Sequence, residues 1–196
     1  MSSKSSMKRE LILDNARQVF IRKGFNRVTM KDIIEKCSIS RGGVYLYFST
    51  VDEIFMEVVK KHNRAKIEGI KMSIERCTDF TQLVDDFFSE QKEKLLNMDK
   101  SLFAAMIEFC FSHKNKSDMD FYTEQFFNTK EVLLEMLRFG QSGGAVTAHN
   151  IDSLADSVMF LIEGLRSLAI SSGIPADLAD RQLNICKSMI YSDMFQ

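Results

Sequence analysis

Within one octet, Ser40, Arg41, Gly42, Gly43, Tyr45 and Tyr47 are the residues whose types and spacing fit a definite chemistry. Arg41 offers a planar fork of donors that suits the O6 and N7 edge of guanine. The hydroxyls of Tyr45 and Tyr47 suit phosphate oxygens, and Ser40 suits the N-cap of a helix starting at Arg41. Adjacent glycines at a helix start each cost up to about 1 kcal/mol relative to alanine. They fit either a simple turn or a place where backbone amides approach a phosphate closely. All of this is chemistry of binding rather than of bond breaking.

Elsewhere the reactive side chains are scattered. His62, His113 and His149 lie far apart with no metal spacing, and no phosphate-cradling glycine motif or nucleophile motif occurs. The cysteines Cys37, Cys77, Cys110 and Cys186 include no C-x-x-C pair, so neither a disulfide framework nor a zinc site is expected. Each falls at an apolar position of a helical pattern, where cysteine acts as a small hydrophobe. Thiol sensing at Cys37 or Cys110 stays open as an alternative. The expectation is a non-enzyme with no cofactor and no bound metal.

The chain of 196 residues is 45% hydrophobic with a net charge of −1, enough to bury a core. That near-neutral total conceals an asymmetry, because residues 1–64 carry thirteen Lys and Arg against seven Asp and Glu. A basic segment of this kind is either a solvated face or a contact for a polyanion. The longest apolar run, Leu102 to Ile107, is six residues, far below the roughly 18 that a membrane helix needs. A soluble, cytoplasmic chain with no membrane partner is expected. One proline, sixteen phenylalanines, twelve methionines and no tryptophan suit packed helices, so the expected fold class is all-α.

Periodicity supplies the elements that must hold the octet. Ile12, Ala16, Val19 and Phe20 mark a first helix over Met7–Lys23, stopped by Gly24 with Phe25 behind it. Thr29 and Asp32 resemble a capping box, after which Met30, Ile33, Ile34 and Cys37 repeat at helical spacing. Ser38, Ile39 and Ser40 make a short turn, and Val44 and Phe48 then form the apolar side of a third helix, a helix-turn-helix pattern. A connecting helix is expected over about 52–77, and further helices near 79–97, 100–113, 117–139, 150–172 and 176–194. The expected division is a helix-turn-helix head over 1–50 and a helical ligand-binding and dimerisation part over 51–196.

Through Ala16 to Phe20, Gly24-Phe25, the stretch from Thr29 to Ile34 and above all Ser40 to Phe48, the chain resembles the TetR family of bacterial transcriptional regulators. That resemblance implies a homodimer that places its third helix in the major groove of palindromic operator DNA and is released as a repressor by a small-molecule effector. By matched position it places Lys31, Arg41 and Gly42 nearest base edges. Thr29, Ser40, Tyr45 and Tyr47 would hold phosphates with Gly43 beside them, and Lys4, Lys8 and Arg9 would form a mobile basic arm. Val51 departs from the pattern, since family members commonly have a phosphate-binding lysine there. The competing possibility keeps the fold as a ligand-binding or thiol-sensing module with a weak or non-specific head.

For the effector site, an aromatic and methionine-rich stripe over helices five to seven includes Phe103, Met106, Phe109, Tyr122 and Phe126. Such a stripe is either plain core or the wall of an apolar pocket. Glu108 interrupts it, and is either a receptor for a cationic ligand or a side chain that points to solvent or pairs with a nearby lysine. Residues 154–169 are apolar on more than one face, so Leu154, Val158, Leu161, Leu165 and Leu168, with Ile185 and Met189, are assigned to a dimer interface.

Overall fold

The computed structural model describes residues 3–76 and 79–192, which form nine α-helices with no strand among them. Cys77 and positions 193 and 194 of the expected last helix lie outside the described residues. The helices are α1 (Ser3–Lys23), α2 (Met30–Cys37), α3 (Arg41–Tyr45), α4 (Val51–Arg76) and α5 (Phe80–Leu96). A 3-10 turn (Met98–Lys100) is followed by α6 (Phe103–Ser112), α7 (Lys116–Ser142), α8 (Ile151–Ser172) and α9 (Ala176–Ile190). Packing groups them into two compact units, a head of residues up to Arg64 with Asp99–Tyr122, and a second unit of Ala65–Met98 with Thr123 onward. The expected functional division at residue 50 is therefore not where the packing divides, because early α4 and all of α6 belong with the head.

In the head, Ile12, Leu13, Ala16, Val19 and Phe20 of α1 are buried against Ile33 and Cys37 of α2, Val44, Phe48 and the apolar start of α4. Gly24 ends α1 at φ +74, a conformation that side chains disfavour, and donates its N–H to Phe20 at 2.9 Å. The expected capping box is present: Thr29 Oγ1 accepts from the Asp32 N–H at 3.3 Å, and Asp32 accepts from the Thr29 N–H at 2.9 Å.

Lys23 donates to the same Asp32 carboxylate at 2.5 Å, and this bond with those from Thr29 holds the acid at about 2, below its ordinary 3.8. Because the folded-state value is the lower one, the stabilisation is complete above about pH 4 and is lost as pH falls toward 2. Asp32→Ala is expected to cost about 1–2 kcal/mol at pH 7. In thermal melts its deficit relative to wild type should shrink steadily below pH 4.

The second unit has its own core, including Val84, Phe88, Leu133, Met136, Leu137, Val158, Ile162, Leu183 and Cys186. Asn150 caps α8 by accepting the Ser153 N–H at 3.0 Å. Buried Lys130 of α7 donates to Asp156 and Asp152 of α8 at 2.8 and 3.2 Å, an ion-paired tie between two helices.

The expected dimer face requires correction. Leu154 and Val158 have no accessible surface within the chain and Leu165 is buried too, so these three belong to the unit's internal core. The large apolar residues facing outward on α8 and α9 are Phe160, Leu168 and Ile185, with Leu161 and Met189 half-buried.

Candidate nucleic-acid interface and effector site

Short α3 is built to present one side. Val44 and Phe48 are buried in the head core, while Arg41, Gly42, Tyr45 and Leu46 are exposed. Ser38 adopts the left-handed conformation at φ 53 to turn the chain after α2. Ser40 Oγ then accepts the Gly43 N–H at 3.2 Å to start α3. The Arg41 guanidinium lies 5.4 Å from the Tyr45 ring centroid, one helical turn on, so the tyrosine ring supports the arginine fork. Lys31 on α2 is highly exposed and only loosely paired with Glu35 at 3.8 Å.

The two glycines separate into different roles. A Cβ on Gly42 would meet nothing within 4 Å, whereas one on Gly43 would collide with the Ile39 side chain at 2.7 Å and crowd Ser40 Oγ. Gly43 is thus required by the turn itself, and Gly42 leaves bare backbone at the surface.

Several other residues sit differently from expectation. Lys4, Lys8 and Arg9 lie within α1 rather than on a mobile arm, and Arg9 is tied to Glu57 and lies 5.2 Å from the Phe48 ring centroid. The Tyr47 hydroxyl is 3.3 Å from Ser5 Oγ and its ring packs on the head core, so α1 anchors it. Thr29 and Ser40 remain exposed but already accept the capping N–H groups. Val51 packs against the head core, a place a lysine side chain would leave. Leu46 was missed from sequence: it is 78% exposed, and the signal was a leucine set between Tyr45 and Tyr47 where the apolar repeat of α3 does not need one.

The expected effector wall is not assembled as one site. Phe109 is fully buried in the head core, 5.0 Å from the Phe25 ring and 5.1 Å from that of Phe55, and is stacked on His113. Met106 and half-buried Tyr122 join the same cluster, and Phe103 is half-buried on α6. Phe126 belongs to the second unit, where its ring is 5.6 Å from that of Phe160. Glu108 accepts the Asn26 N–H at 2.9 Å and lies against Gly24, so it clamps α6 to the turn after α1. A carboxylate so engaged is an internal cap rather than a receptor for a cation.

In the second unit a polar cluster occurs that the periodic pattern did not single out. Arg166 of α8 donates to Glu163 at 2.5 Å and to the buried amide of Gln91 on α5 at 3.0 Å. Lys94 of α5 is ion-paired with Glu90. Nearby Lys66 of α4 is pulled down to about 8 by desolvation and by the like charges of Arg166 and Lys94. Burial instead raises the thiols: Cys37 is pushed up, and Cys110 and Cys186 to about 11, which starves all three of thiolate at neutral pH.

Residues 12–58, from α1 into α4, match the family model described as bacterial regulatory proteins, tetR family. Over these residues the chain is similar to the TetR family. The HTH-type transcriptional regulator YfiR of Bacillus subtilis is 31% identical over 114 residues, covering 58% of this chain and 55% of that protein. The chain spans about half the length of the curated relatives it matches. A TetR-family regulator from Cytophaga hutchinsonii has the same fold, with a TM-score of 0.74, 16% identity, and coverage of 97% of this chain and 96% of that one. Bacillus subtilis FadR, solved in complex with stearoyl-CoA, aligns with a TM-score of 0.71 at 17% identity, over 92% of this chain and 98% of that one. TetR-family proteins and these relatives are transcriptional regulators rather than enzymes. Among the described residues, no helix of this chain is long and apolar enough to cross a membrane.

Proposed function

We propose that this chain is a cytoplasmic transcriptional repressor that binds a palindromic operator as a homodimer and is released by a small apolar or amphipathic effector. The observation that carries the DNA-binding part is the exposed face of α2 and α3. Lys31, Arg41, Gly42 and Tyr45 are displayed there over a rigid support of Ile33, Val44 and Phe48. A fork of donors resting on an aromatic ring, beside bare backbone and a hydroxyl, supplies both base-edge and phosphate contacts. Thr29, Ser40 and Gly43 shape the turn, and Tyr47 adds a hydroxyl at its rim.

Dimer formation is supported by Phe160, Leu168 and Ile185, large apolar groups left outward on α8 and α9 after the unit has filled its own core. Effector response is supported by the stearoyl-CoA complex of a protein with the same fold. The raised thiols of Cys37, Cys110 and Cys186 argue against oxidation at those three residues as the trigger.

Mobility shifts of the full chain, on DNA flanking its own coding region and on random fragments over a salt series, test this function. Nanomolar binding that prefers the flanking DNA and weakens steeply with salt is expected. Micromolar binding, equal on both DNAs, would overturn it.

A further inference from the structure

We infer that Leu46 is a base-reading residue, which packs against the C5-methyl of a thymine in the major groove and so makes that thymine part of what the head recognises. This rests on the DNA binding proposed above and specifies what is read. Exposure alone does not distinguish a leucine, since single apolar side chains are ordinary on surfaces. Its place on the helix does. The residues that seat α3 on the head, Val44 and Phe48, stand two positions before Leu46 and two after it, and both are buried. Two residues are about 200° around a helix, so Leu46 projects from the side opposite that seat. It is 78% exposed, more than any other large apolar side chain among the described residues.

This crest is firmly held. Leu46 has helical backbone angles, φ −65 and ψ −26, and donates its N–H to the Gly42 carbonyl at 3.1 Å. Tyr47, the next residue, packs on the head core with its hydroxyl 3.3 Å from Ser5 Oγ. A leucine so placed has little backbone freedom left to lose on contact. Gly42 stands one turn earlier on the same side, and a Cβ there would meet nothing within 4 Å, so a base edge has room to approach the leucine.

The chemistry then selects the occupant. A helix lying in the major groove turns its crest to the groove floor, where base edges offer donors, acceptors and a single apolar group, the thymine methyl. The leucine side chain can neither donate nor accept, so that methyl is the feature it distinguishes. Its exposed neighbours Arg41, Tyr45, Ser49 and Thr50 carry polar groups. A protein partner would call for a contiguous apolar patch instead of one leucine among hydroxyls and a guanidinium.

Selection of bound duplexes from a random pool by the full chain supplies the probe. Each thymine of the enriched sequence is then replaced singly by deoxyuridine, which lacks only the methyl. At one thymine per half-site the replacement is expected to weaken wild-type binding about fourfold, the worth of one buried methyl group. Leu46→Ala should bind the thymine and deoxyuridine probes equally at that position. Leu46→Met, apolar and of similar reach, should keep the difference, as should Tyr45→Phe, which binds both probes more weakly. Leu46→Ala should melt as wild type does, because its side chain is exposed.

An enriched sequence with no thymine sensitive to the replacement overturns the inference, as does Leu46→Ala that keeps the sensitivity at every such thymine. Either result leaves the sequence-specific regulator standing. A pool from which no sequence is enriched overturns the specific DNA binding itself, and the thymine contact with it.

Discussion

Phe109→Ala is expected to destabilise the protein by about 3–5 kcal/mol, a large share of the roughly 5–15 kcal/mol that holds a domain folded. Phe109 has no accessible surface and meets Phe25, Phe55 and Phe121 at ring distances of 5.0, 5.1 and 6.0 Å, with His113 stacked on it at 4.3 Å. Those rings come from the turn after α1, from α4, from α7 and from the end of α6, so the alanine leaves a cavity where four segments of the head converge. Phe111, two residues on and 74% exposed, is the control, and Phe111→Ala should change stability by no more than about 0.5 kcal/mol. Urea unfolding of the two variants measures both effects. A pocket-wall role for Phe109 would give the opposite pattern, with altered ligand affinity and little loss of stability.

That contrast shows where sequence information ends. Helices were legible where they write their own boundaries: the apolar repeat in α1, the Thr29–Asp32 box, the Gly24 stop and the Asn150 cap are all local. In α6, Phe103 to Phe111 is apolar on nearly every side, so its pattern does not say which side meets which partner. Glu108 looked like a charge looking for a ligand, because the Asn26 N–H that it accepts is 82 residues away in the chain. The octet around Arg41 was legible as a capped helix start with an exposed side because that geometry depends on neighbours in sequence, although the differing duties of Gly42 and Gly43 depended on where Ile39 points.

Arg41→Ala is expected to cost about 1–3 kcal/mol in discrimination between the flanking DNA and random DNA, since a bidentate base contact carries that much. The fold should be unaffected, because Arg41 is exposed and its ring contact is confined to α3. Tyr45 separates positioning from reading. Tyr45→Phe keeps the ring beneath the guanidinium and removes only the hydroxyl, so binding should weaken evenly on both DNAs with an unchanged salt slope, a neutral donor releasing no counterion. Tyr45→Ala also removes the support 5.4 Å from the Arg41 guanidinium and should relax sequence preference toward that of Arg41→Ala. Competition binding with the two DNAs measures all three variants. If Tyr45→Ala retains full preference, the ring does not orient the fork, and base recognition by Arg41 must depend on the DNA alone to hold it. If Arg41→Ala retains full preference, sequence is read elsewhere on this face, by exposed Lys31 or by Leu46 against a thymine methyl.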